Sequence, residues 1–136
     1  MAQRDILIVD DDRQVREVLH QIFVSAGYNC LLANDGREGV EVFEAGRPPL
    51  IVTDLKMPVM TGMQLLQQVR AIDADAAVIV LTGAADVKTA IESLKLGAYD
   101  FILKPVNVDE LLIAAERALE RRQLLIERRE YHELLE

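Results

Sequence analysis

A chain of 136 residues, 51% hydrophobic and 28% charged, has the size and make-up of one soluble globular domain with its own core. Its net charge of −8 argues against a nonspecific nucleic-acid surface or an anionic-membrane surface, since both need basic patches. The apolar runs are strand-sized, so none spans a membrane. A single cysteine, Cys30, cannot form an internal disulfide, and Met1–Asp5 lacks a signal-peptide layout, so the expected location is cytoplasmic. Cys30 lies in an apolar stretch and reads as a packing residue rather than a reactive thiol.

Strand-like runs recur at intervals of about 25 residues with amphipathic stretches between them, the pattern of βα units and a parallel sheet. The first run, Ile6–Val9, closes on Asp10, Asp11 and Asp12. Val15, Val18, Leu19, Ile22 and Phe23 then fall at helical spacing, and Gly27 suits the position just past a helix end. Asn29 to Ala33 is a weaker second strand, followed by the turn signal Asn34-Asp35-Gly36 and a short helix carrying Val40 and Phe43. The third strand begins at Leu50 and ends on Asp54. Pro58 and Gly62 frame the next loop, with Thr61 as a helix cap before Met63, Leu65, Leu66 and Val69. Ala77–Leu81 is a fourth strand ending on Thr82 and Gly83; Asp86 is placed to cap the helix of Ala90, Ile91 and Leu94, which stops at Gly97. Phe101–Leu103 is a brief fifth strand closed by Lys104-Pro105, and Asp109 onward is helical.

The tail from Glu116 to Glu136 has no breaker and alternates charge. Leu112, Leu119 and Ile126 lie seven apart, but the intervening positions are Ala115, Arg122 and Arg129, which weakens a coiled-coil reading. Two readings stay open: a solvated helix held by ion pairs, or a signalling or dimerising helix that leads to another domain. Glutamates balance Arg121-Arg122 and Arg128-Arg129, so neither pair reads as a nucleic-acid patch.

A five-stranded doubly wound parallel sheet of order 2-1-3-4-5 makes strands 1 and 3 neighbours at the topological switch point, with ligands bound outside their carboxyl ends. By itself Asp54 reads equally well as a turn residue. The other strand ends decide the matter, because Asp10, Asp11, Thr82 and Lys104 would all border the same crevice. Clustered carboxylates repel unless a cation sits among them, and an all-oxygen ligand set points to Mg2+, with Mn2+ as a substitute. Such a cation leaves room for a phosphoryl group. Lys104 and Thr82 suit its oxygens, and an ionised Asp54 can act as the nucleophile.

The motifs Ile6–Asp12, Asp54–Pro58, Val80–Ala84 and Lys104-Pro105, in that order and at these separations, resemble the receiver domain of response regulators, the CheY-like family of two-component signalling. The resemblance covers residue 4 to about residue 120 and implies a flavodoxin-like, CheY-like fold with an extended C-terminal helix. It implies that Asp54 is the phosphoacceptor, and that Asp10, Asp11, Asp54 and the backbone carbonyl of Lys56 hold the metal. It also implies that Thr82 follows the phosphoryl group, Lys104 pairs with it, and Phe101 stands at the switch aromatic. Lys104-Pro105 falls where the family has a cis peptide. Asp12 reads as the cap of the first helix, and a one-residue slip of the acid pair stays open.

The resulting expectation is a receiver at residues 1–120 and a charged helical extension at 121–136, a linker to an output domain that this chain lacks. The receiver takes a phosphoryl group from a sensor histidine kinase and switches the surface of its fourth helix, fifth strand and fifth helix. That surface, or the C-terminal helix, is also where a homodimer would form. The output domain is either attached or separate, and no direct nucleic-acid or membrane contact is expected. The protein is expected to be no enzyme beyond catalysing its own phosphoryl transfer and dephosphorylation. The alternatives are a phosphatase-type enzyme with an Asp nucleophile, against which Lys56 counts where a second acid would stand, and a nonphosphorylated binding module.

Overall fold

A computed structural model of the chain describes residues 4–135. The expectations that fall on Met1–Gln3 and on Glu136 lie outside the described residues. Five βα units follow one another: β1 (Asp5–Val9), α1 (Arg13–Ser25), β2 (Asn29–Ala33), α2 (Gly36–Gly46), β3 (Leu50–Asp54), α3 (Gly62–Ile72), β4 (Ala77–Thr82), α4 (Val87–Lys95), β5 (Asp100–Leu103) and α5 (Val108–Leu135). All strand pairs are parallel, and the order is β2-β1-β3-β4-β5. Val9 pairs with Thr53 in the register of β1 and β3, so one further step along each strand sets Asp10 beside Asp54.

The central strands are apolar almost throughout because helices cover both faces of the sheet. Ile6, Ile8, Leu50, Val52, Ile79 and Leu81 face α1 and α5, where Leu19, Phe23, Leu111, Ala115 and Ala118 complete a buried layer. Leu7, Val9, Ile51, Val78 and Val80 face α2, α3 and α4 and meet Phe43, Leu65, Leu66, Val69 and Ala90. The edge strand β2 alternates exposed and covered positions, which explains its weaker sequence signal. Cys30 on β2 is half-buried against the first layer, and burial pushes its thiol up to about 11, so it stays protonated at neutral pH.

Side chains end several helices as their positions suggest. The Asp12 carboxylate accepts from the Gln14 and Val15 amides, and Thr61 forms a reciprocal capping box with Gln64. Gly27, at φ +91°, takes the left-handed conformation that a side chain would resist. Three expectations need correction. Asp86 stands at the start of α4 but makes no capping hydrogen bond; a 3-10 turn, Ala84–Asp86, precedes the helix, and the carboxylate lies 3.3 Å from Lys56 Nζ. Ile91 and Leu94 are exposed, and the buried residues of α4 are Ala90 and Ser93, whose small size brings the helix close to the sheet. Val18 also points outward from α1, whose buried residues are Leu19 and Phe23.

No helix among the described residues is long and apolar enough to cross a membrane. The helix α5 is one unbroken piece of 28 residues, about 42 Å at 1.5 Å per residue. Its first part packs on the sheet through Leu111, Ala114, Ala115 and Ala118, and the rest continues past it.

Candidate functional site

The carboxyl ends of β1 and β3 open side by side at the switch point, each on an acid. Asp10 is fully buried. Its Oδ1 accepts from the Asp12 amide at 2.9 Å, and its Oδ2 is buried without a hydrogen-bond partner among the described residues. Asp11 is exposed, and the side chain of Asp54 is 13% exposed. One oxygen from each of Asp10, Asp11 and Asp54 lies within 4.8 Å of the others. With Asp12 engaged in capping α1, the clustered acids are those that the motif order singles out.

Lys104, at the end of β5, reaches into this group. Its Nζ is 3.1 Å from Asp54 Oδ1 and 3.9 Å from Asp10 Oδ2. Backbone pairing sets its reach, because the Lys104 amide donates to the Thr82 carbonyl at 2.8 Å and ties the ends of β4 and β5 together. The Lys104–Pro105 peptide is cis. One lysine does not balance three carboxylates. Burial pushes Asp10 up to about 6, and the charges of Asp54 and Asp11 add to the rise, against the Asp12 amide and Lys104. A cluster with surplus negative charge, an orphaned buried oxygen and only oxygen ligands fits a hard divalent cation.

Thr82 is buried at the end of β4, with its hydroxyl 3.2 Å from the Gly83 carbonyl. Phe101 on β5 is half-buried against the layer under α2, α3 and α4. Lys56 lies in the loop after β3, and its ammonium group extends away from the acids to Asp86. Asp10, Asp11, Asp54 and Lys104 therefore form one cluster, while Thr82 ends β4 and Phe101 lies on β5, packed against the layer under α2, α3 and α4.

Gly62, which the sequence places at the edge of the loop after Asp54, has a closer role there than that pattern conveys. The Gly62 amide donates to the Leu55 carbonyl at 2.9 Å, and a Cβ at Gly62 would overlap the carbonyl oxygen of Asp54 itself. Only glycine lets α3 begin so close to the end of β3. Gly36 plays a similar part, since a Cβ there would meet Met60 Cβ at 2.8 Å. Val59 holds φ +68°, a conformation that β-branched residues rarely adopt, at the exposed tip of the same loop. No local pattern announces these features, because each depends on a segment distant in the chain.

A doubly wound parallel sheet with an acid triad and a lysine at its switch point defines a class of α/β proteins that handle phosphoryl groups beside a cation. The chain matches the family model described as response regulator receiver domain over residues 6–116, and it belongs to that family, the phosphorylatable receivers of two-component systems. It is 37% identical over 130 residues to the regulatory protein AtoC of Escherichia coli K12, covering 96% of this chain and 28% of that protein. It is 40% identical over 128 residues to the C4-dicarboxylate transport transcriptional regulatory protein DctD of Pseudomonas aeruginosa, covering 94% of this chain and 28% of that protein. Among solved structures, a response regulator receiver domain protein from Clostridium thermocellum superposes with a TM-score of 0.86 at 33% identity, covering 89% of this chain and 98% of that one. The chain thus spans under a third of the length of these two curated relatives.

Proposed function

We propose that this receiver accepts a phosphoryl group on Asp54 from a phosphohistidine of a sensor histidine kinase. The observation that carries the reading is the convergence of Asp10, Asp11 and Asp54 within 4.8 Å, with Lys104 Nζ 3.1 Å from Asp54. An Asp54 carboxylate oxygen attacks phosphorus as the bond to the histidine nitrogen breaks, and because the ring is protonated on its other nitrogen, it leaves as a neutral imidazole and Asp54 becomes an acyl phosphate. Mg2+, or Mn2+ in its place, would be held by Asp10, Asp11, Asp54 and the Lys56 carbonyl. Bound there, it would neutralise the acids and the charge on the phosphoryl oxygens. Lys104 is within reach of Asp54 and supplies a positive charge to the same oxygens.

Thr82 and Phe101 carry the change outward. The phosphoryl group binds better to the arrangement in which the Thr82 hydroxyl turns toward it and Phe101 fills the space behind, which shifts the population. The responding surface is α4, β5 and α5, where Ile91, Leu94, Leu103 and Ile113 are exposed. It is open to an output domain, attached or separate, or to a second copy of the chain. The setting is the cytoplasm, where kinase and receiver meet, and the protein's own chemistry is limited to its phosphorylation and dephosphorylation.

Incubation with Mg2+ and acetyl phosphate should add one phosphoryl mass to the intact protein. Asp54→Asn should abolish the adduct, and EDTA should prevent it. A wild-type protein without an adduct, under conditions in which other receivers react, would overturn the proposal.

A further inference from the structure

The face of α5 that packs on the sheet does not end where the sheet ends. Leu111, Ala115 and Ala118 are buried, and the same helical stripe continues through the half-buried Arg122 and on to Arg129. Along this line the side chains change from aliphatic to guanidinium while the face stays the same. Opposite them stands the turn between α3 and β4. Arg129 grips Asp75 in that turn with a two-pronged contact, Nη1 to Oδ1 at 3.0 Å and Nη2 to Oδ2 at 2.6 Å, across 54 residues of sequence.

The turn is built to present that carboxylate. The Asp75 amide donates to Asp73 Oδ1 at 2.9 Å, and Arg70 Nη1 donates to the Ala74 carbonyl at 2.7 Å. Arg129, Arg122 and Arg70 all act on Asp75 and hold its carboxyl below the usual range, with the Arg129 hydrogen bond the largest cause. Between turn and helix lies a cleft of about 190 Å³ lined by Arg70, Asp75, Tyr99, Arg121, Arg122 and Leu125. Arg122 Nε is buried there, and the Arg121 guanidinium sits 5.8 Å from the centre of the Tyr99 ring.

We infer that the α3–β4 turn is a docking surface for this chain's own C-terminal helix, with Asp75 the anchor that holds residues 121–129 to the receiver body and sets the direction in which the helix leaves it. The family match spans residues 6–116, so it takes in Asp75 and stops short of Arg129. The docking explains why a heptad starting from Leu112 fails. Arg122 and Arg129, the residues that spoil it, face the body of the same chain and not a partner helix. It also moves the working boundary of the body from residue 120 to the neighbourhood of Arg129.

Hydrogen exchange of the intact chain at low salt tests this. Wild-type amides at 123–129 should exchange more slowly than those at 131–135. Asp75→Asn and Arg129→Gln should each speed exchange at 123–129 by about 2–5-fold, the range for an exposed ion pair of good geometry. The double variant should be no faster than either single one, and Arg128→Gln should behave as wild type. Unchanged exchange in Asp75→Asn would overturn the inference. So would an increase of the same size in the sheet amides, which would report general destabilisation in place of undocking.

Discussion

The two ends of the sheet hold the same kind of side chain in opposite company. At the carboxyl end of the strands, Asp10, Asp11 and Asp54 cluster, and one lysine, Lys104, reaches Asp10 and Asp54. At the amino end, Asp75 has three arginines, Arg129, Arg122 and Arg70, acting on it. Burial and like charge push Asp10 up to about 6, whereas Asp75 is held down. The carboxyl end therefore carries an unbalanced charge and a buried oxygen with no hydrogen-bond partner among the described residues, both features that a ligand would relieve. The amino end satisfies its carboxylate within the chain. One end is prepared for something to arrive, and the other already holds what it binds.

The largest effect that would sharpen this contrast is the response to Mg2+. At 100 times its dissociation constant the ion should stabilise the folded protein by about 2.7 kcal/mol. Asp10→Asn should remove most of that gain, while Asp75→Asn should leave it intact, as read from thermal unfolding. A next-largest effect is expected from Gly62→Ala, which should cost about 1–3 kcal/mol in urea unfolding because the added carbon meets backbone atoms, and the clash should also displace the loop that carries Lys56. A variant as stable as wild type would show that the close approach at Asp54 is dispensable.

Smaller effects separate the two ends by pH. In EDTA, Asp10 binds its proton more tightly when folded, because its folded value of about 6 lies above the ordinary 3.8. Its stabilising contribution is complete below about pH 3.8 and is lost as pH rises through about 6, so metal-free stability should fall over that window. The Mg2+ gain should grow over the same window as Asp10 ionises. Asp75 has the opposite sign: its contribution is present above 3.8 and is lost as pH falls through its lowered folded value. In Asp75→Asn that contribution is missing, so stability above about pH 5 should lie below wild type and the two should converge as pH falls. A pH profile of unfolding for wild type, Asp10→Asn and Asp75→Asn reads both slopes.

What could be read from the sequence follows the range over which each cause acts. Strand runs such as Ile6–Val9 and Ala77–Leu81, and caps such as Asp12 and Thr61, act over a few residues, so the strand order and the acids at the strand ends were readable. Hydrophobicity alone misplaced Ile91 and Leu94, because the inward face of α4 is chosen by close packing on the sheet and goes to Ala90 and Ser93. The roles of Gly62 and Asp86 depend on which backbone or side chain lies opposite, and the sequence does not spell that out. Arg129 and Asp75 are 54 residues apart, so the tail read as balanced only by its neighbouring glutamates.

The helix α5 is about 42 Å long and is held at two places, on the sheet through Leu111 to Ala118 and at the α3–β4 turn through Arg129. A rod clamped twice keeps one direction, and it becomes a lever arm once the Arg129 clamp lets go. If its sheet end then tilts by about 5°, its far end travels about 4 Å, taking the length from the helical rise. A subtle repacking near Lys104 and Phe101 would then become, at Leu135, a displacement large enough to break or remake a side-chain contact.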